Sequence, residues 1–179
     1  MTDPLITDLG TVAEVAKAHQ DTFEVMQHML QLDDDIDDAR LDAFIDELAA
    51  PIVAAIDCTQ CANCCRSLTV YLTEHDANRL GQHMGMTAAE FETGYVDRKS
   101  AQAVEEWGCF AQQPCALLDG TLCGVYEARP ESCRMYPQFT PDFRWLLADM
   151  IEGAPLCPII LNVLLNLQPM VDAGIDKYL

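Results

Sequence analysis

The chain has 179 residues, half of them hydrophobic but only 7% aromatic, and a formal charge of −19. That length suits one domain with an appended subdomain, its core filled by aliphatic side chains, Met and Cys. Acidity on this scale repels phosphate backbones and excludes nucleic acid as a partner, and no apolar run approaches the length that crosses a bilayer.

The opening MTDPLITDLG is acidic and lacks a basic, then apolar, leader pattern, so a soluble cytoplasmic protein is expected. Residues 11–31 follow as an amphipathic helix. Val12, Val15, Ala16, His19, Phe23, Met26 and Leu30 recur at helical spacing. The run Asp33-Asp34-Asp35-Ile36-Asp37-Asp38 interrupts it. It lacks the turn glycine and terminal glutamate of a calcium loop, so it reads as a solvated turn whose acids favour the next helix N-terminus. The second helix carries Leu41, Phe44, Ile45, Leu48, Ile52 and Ile56 on one face, and Pro51 is expected to kink or split it. Residues 1–57 thus form an acidic helical hairpin, with 14 acids against 2 bases, −12 of the total. It is a candidate surface for a protein partner.

Residues 58–179 form the expected second domain, cysteine-rich and closed by a C-terminal helix. In SLTVYLT, Leu68, Val70 and Leu72 alternate with polar residues, which predicts a short strand. Thr73 and Asp76 cap a helix reaching about Met84. Thr87-Ala-Ala-Glu90 forms a capping box for another, carrying Phe91 and Tyr95. Residues 109–145 are rich in Cys, Pro and Gly, with a hairpin strand at Leu122–Tyr126. An apolar helix begins after Pro158 and runs through Leu167, with Pro169 limiting or kinking it. The fold class is mostly α with a small β element and a loop-rich core organised by metal.

Nine cysteines lie at 58, 61, 64, 65, 109, 115, 123, 133 and 157. An odd count in a reducing compartment argues against a disulfide framework and for metal binding or catalysis. The spacing Cys58-x-x-Cys61-x-x-Cys64 resembles a loop wrapped around a cubane more than a zinc site, which takes one CxxC pair from each of two knuckles. A distant Cys-Pro often supplies the fourth cubane ligand, and Cys157-Pro158 offers one. Adjacent residues tend to direct their side chains apart, so Cys65 is expected to join a second group with Cys115, Cys123 and Cys133. Two four-thiolate sites and one multinuclear site both fit these eight. Cys109 is left over, as a buried small hydrophobe, an auxiliary ligand or a reactive thiol. None of His19, His28, His75 and His83 has a second ligand at i+4.

These residues carry a resemblance. The pieces are CTQCANCC at 58–65, LTVYLTEHDANRL at 68–80, MTAAEFETGYV at 86–96, PCALLDGTLCGVYEARPESCRMYP at 114–137, and Cys157. Together they resemble the YkgJ-like CxxCxxCC family, described as zinc- or iron-chelating and often named iron–sulfur-cluster-containing proteins. The resemblance covers about residues 58–158 and implies a chelating role for Cys58, Cys61, Cys64, Cys65, Cys115, Cys123, Cys133 and Cys157. It also brings in flagellin lysine-N-methylases, which share the cysteine pattern in a longer chain. The cofactor expected is an iron–sulfur cluster, with zinc as the alternative. The function expected is a redox, maturation or sensing role, against a zinc-stabilised interaction module or a methylase-related component. Arg66, Arg129, Arg134 and Arg144 lie among the cysteine motifs and can offset thiolate charge. The competing reading pairs Arg129 and Arg134 with Glu127 or Glu131 on the surface.

Overall fold

The computed structural model describes residues 4–179, which are mostly helical with two small antiparallel sheets. Helix α1 (Leu9–Leu32) starts where the Asp8 carboxylate accepts from Thr11 N–H. It buries Val12, Ala16, Phe23, Met26 and Leu30. After the aspartate turn, Asp37 caps α2 (Asp38–Ala55), which buries Leu41, Ile45, Ala49 and Ile52. The helix runs unbroken past Pro51. The proline leaves the Glu47 carbonyl without its helical donor, but Pro51 and Glu47 are both exposed, so water can serve that carbonyl.

Two short helices carry the first cysteines: α3 (Cys58–Cys61) and α4 (Asn63–Ser67). Strand β1 is only Tyr71–Leu72. Helices α5 (Glu74–His83) and α6 (Ala88–Tyr95) both open on complete capping boxes, Thr73 with Asp76 and Thr87 with Glu90. Then come β2 (Val96–Asp97), α7 (Arg98–Gln102) and β3 (Gly108–Phe110). Strands β4 (Leu118–Asp119) and β5 (Leu122–Cys123) form a hairpin around Gly120, whose φ of 61° suits glycine. A 3-10 turn (Tyr126–Ala128) leads to α8 (Glu131–Met135), and the chain ends with α9 (Phe143–Gly153), α10 (Pro158–Asp172) and a 3-10 turn (Ile175–Lys177). Among the described residues no helix is long and apolar enough to cross a membrane.

The chain divides into two compact units. One is the segment through Asp57 together with Pro137–Leu179; the other is Cys58–Tyr136. In the first unit α1, α2, α9 and α10 pack together. The reason is visible in α10, where Pro158 through Leu164 are all buried. A helix apolar on every side needs neighbours on several sides. Its one buried amide, Asn162, donates to the Ile6 carbonyl and accepts from Ile6 N–H.

Arg144 is likewise buried in this unit. It donates to the carbonyls of Leu30, Asp33 and Ile36 and to Asp38 Oδ1, all at 2.7–2.8 Å. It therefore holds the α1–α2 turn closed and does not serve as a counter-charge to thiolates. Asp34 and Asp35 remain exposed at the tip.

The second unit has a small core of Leu72, Ala77, Leu80, Phe91, Val125 and Ala128. Strand order is β1-β3-β2, antiparallel, with Tyr71 opposite Cys109 and Val96 opposite Phe110. A Cβ on Gly108 would meet Val96 Cγ1 at 2.6 Å. Gly108→Ala is expected to cost about 1–3 kcal/mol through overpacking. Adding Val96→Ala should recover most of that loss in urea unfolding; simple additivity of the two losses would contradict the clash.

Candidate metal centre

The cysteine loop is built by one reversal. Helix α3 closes with Ala62 N–H on the Cys58 carbonyl, and Ala62 itself takes a left-handed φ of 51°. Few non-glycine residues adopt that region, and here it separates α3 from α4 so that CxxCxxCC does not continue as one helix. Arg66 braces the loop, donating to the Cys61 carbonyl at 2.7 Å and to the Gly120 carbonyl at the hairpin tip at 2.8 Å. Cys115 N–H donates to the Cys65 carbonyl at 2.9 Å, which staples the start of the hairpin to α4. Cys123 sits on β5 opposite Leu118, and Cys133 lies in the first turn of α8.

Four thiols gather here from four separate segments. Cys64 and Cys65 share a hydrogen bond, Sγ to Sγ, at 4.0 Å. That bond, helped by the positive charges of Arg66 and Arg129, lowers the Cys65 thiol from 9.0 to about 6, against the opposing effect of burial. These interactions incline Cys65 toward the thiolate form. Burial, then the charges at Cys65, Cys115 and Cys123, push Cys133 up to about 12. Cys115 is also raised, first by burial and further by Cys65 and Cys123. These mutual effects place Cys65, Cys115, Cys123 and Cys133 in one neighbourhood.

The other cysteines are placed differently. Cys58 is exposed, and Cys61 and Cys64 are half-buried on the same two-helix loop. Cys109 is buried in β3, its thiol donating to the Asp97 carbonyl at 3.5 Å and raised by burial and by the Asp97 charge. Cys157 is buried at the N-cap of α10, in the helical unit. Arg129 stacks on Tyr126 with its guanidinium carbon 3.6 Å from the ring centroid, and it donates to the Tyr126 carbonyl. Arg134 donates to the carbonyls of Arg129 and Glu127. Both arginines thus reach backbone oxygens rather than the carboxylates of Glu127 or Glu131.

The donor set fits a thiophilic metal. All nine cysteines are thiols rather than disulfides, and thiolates suit zinc and iron–sulfur centres. The 4.0 Å separation of Cys64 and Cys65 lies near the sulfur–sulfur edge of a tetrahedral zinc site, about 3.8 Å for Zn–S bonds of about 2.3 Å. The thiols are gathered but not closed: among the described residues, no group of three or more His, Cys, Asp or Glu is drawn together tightly enough to hold an ion. Two residues that brace this region escaped the sequence reading. Asp76 looked like a helix cap and nothing more, and Arg79 carried no motif signal.

A small cysteine-rich unit with thiols converging from a CxxCxxCC loop, a hairpin and a short helix defines a class of chelating domain. The chain belongs to the CxxCxxCC family, described as a "putative zinc- or iron-chelating domain" and matched over residues 57–151. That span includes every cysteine except Cys157. No curated protein and no solved structure matches the chain.

Proposed function

We propose that Cys58–Tyr136 is a thiolate metal-binding module carrying an iron–sulfur centre with a redox, maturation or sensing role in the cytoplasm. The observation that carries the chelating part is the convergence of Cys65, Cys115, Cys123 and Cys133, with Cys65 inclined toward the thiolate by Cys64, Arg66 and Arg129. A thiolate already formed is the first ligand to meet an incoming ion, and metal binding then displaces protons from the raised thiols. The CxxCxxC run of Cys58, Cys61 and Cys64 supports iron–sulfur over zinc. The proposal is confined to the seven cysteines of this unit that belong to the family pattern. Arg66 and Arg129 offset the thiolate charge, Arg134 steadies the Arg129 segment, and the acidic helices α1 and α2 are the surface proposed for a protein partner.

The 4.0 Å separation of the vicinal sulfurs favours a second reading, in which one zinc ion takes both Cys64 and Cys65 and the unit is a structural interaction module. Metal content of single variants tests the ligand set. Cys61→Ser and Cys65→Ser are expected to lose metal, whereas Cys109→Ser retains it. Equal loss in Cys109→Ser would put that sulfur on the metal and break the assignment.

A further inference from the structure

Asp76 does more than cap α5. A capping box needs one carboxylate oxygen, and Asp76 spends Oδ2 on it, accepting from Thr73 N–H at 3.0 Å and Thr73 Oγ1 at 2.8 Å. Its other oxygen leaves the element. Asp76 Oδ1 accepts from Arg79 Nη2 at 2.7 Å and from Glu131 N–H at 3.1 Å, across 55 residues of chain. The same Arg79 Nη2 donates to the Arg129 carbonyl at 2.6 Å. The second capping box of this unit is a built-in comparison. Glu90 also accepts from Thr87 N–H and Oγ1, but it is exposed and its bonds stay within its own cap. Asp76 is only 2% exposed.

The partners of this pair lie in the segment just before one cysteine. Arg129 is held at its carbonyl by Arg79 and by Arg134 Nε, Glu131 at its N–H by Asp76, and Ser132 by its hydroxyl on the Tyr71 carbonyl at 2.7 Å. Cys133 follows directly, its N–H on the Pro130 carbonyl. We propose that Asp76 and Arg79 are positioning residues for Cys133: a clamp of a buried carboxylate and a half-buried guanidinium on α5 fixes the Arg129–Ser132 segment and so aims the Cys133 sulfur at Cys65, Cys115 and Cys123. The role in metal binding rests on the chelating function proposed above. Residues that orient ligands in this way typically control metal affinity by about 10–100-fold.

The test compares the purified wild type with Asp76→Asn, Arg79→Lys and Glu90→Gln. Two quantities are read: affinity for zinc by chelator competition, and the alkylation rate of Cys133 relative to Cys109, mapped by mass spectrometry. Asp76→Asn is expected to weaken zinc binding about 10–100-fold and to raise relative Cys133 alkylation, with helical circular dichroism retained. Glu90→Gln should change neither. In a Cys133→Ser background, Asp76→Asn should cost no further affinity, because the clamp acts through that sulfur. Additive losses there, or an unchanged alkylation ratio in Asp76→Asn, would overturn the proposal. Should Asp76→Asn fail to fold, Arg79→Lys, which keeps the charge but removes the Nη2 group that donates to both Asp76 and the Arg129 carbonyl, decides by the same ratio. A wild type that binds no metal defeats the chelating function alone, and the alkylation ratio then judges the clamp by itself.

Discussion

Stripping the metal from the reduced protein with a strong chelator will melt the Cys58–Tyr136 unit. The apolar core of that unit is slight, with Phe91 as its largest buried side chain beside Leu72, Leu80, Val125 and two alanines. Its strands are two or three residues long. A sheet this short contributes little by itself, so the cysteine segments need a further tie. Where a site does not pre-exist in the unfolded chain, the free energy of metal binding is also free energy of folding, about 10–16 kcal/mol for structural zinc in small peptides. The expected result is loss of the helical signal of α5 to α8 while α1, α2, α9 and α10, which have their own core, persist. Unchanged circular dichroism and unchanged melting after verified metal removal would make the metal peripheral.

Arg144→Ala should be the most damaging single substitution in the helical unit, at about 3–5 kcal/mol. The ion pair with Asp38 is the smaller part, because Asp38 is 54% exposed and water screens such pairs to roughly 0–1 kcal/mol. The larger part is the three carbonyls of Leu30, Asp33 and Ile36, which a charged donor now satisfies. Hydrogen bonds to charged groups contribute about 1.5–3 kcal/mol, and a buried acceptor left without a donor is costly. Asp38→Ala should therefore cost far less than Arg144→Ala, and Arg144→Lys should recover only part, since one ammonium lacks the planar fork. Urea unfolding followed through the helical signal measures all three. Equal losses for Asp38→Ala and Arg144→Ala would show that the ion pair, not the carbonyls, holds the turn.

What was legible in the sequence is what local chemistry dictates. Thr73 with Asp76 and Thr87 with Glu90 announce their helices because a capping box is complete within four residues. The faces of α1 and α2 follow from period alone, and the cysteine spacing points to chelation without any fold. What was missed depends on distant partners. Helix α9 has no side-chain cap: Asp142 precedes it at φ 69°, its N–H on the Asp42 carboxylate of α2. Arg144 lies among the cysteine motifs in the chain, yet its partners lie 106–114 residues away. The strand expected across SLTVYLT shrinks to Tyr71–Leu72 because α4 claims Ser67 and only Tyr71 and Leu72 pair in register with β3, while Val70 contributes a single carbonyl to Phe110 N–H. The same limit hid the clamp. Asp76 satisfies its local rule so fully that nothing in the sequence betrays its second oxygen.

The most direct test of the central claim is metal and acid-labile sulfide analysis of the protein purified without oxygen, beside Cys65→Ser. Thiolate chelation by the Cys58–Tyr136 unit predicts stoichiometric metal that Cys65→Ser loses, and the iron–sulfur assignment predicts iron and sulfide in equal amounts; zinc without sulfide would select the structural reading. A folded wild-type protein with neither metal, or a Cys65→Ser variant as fully loaded as wild type, would contradict it.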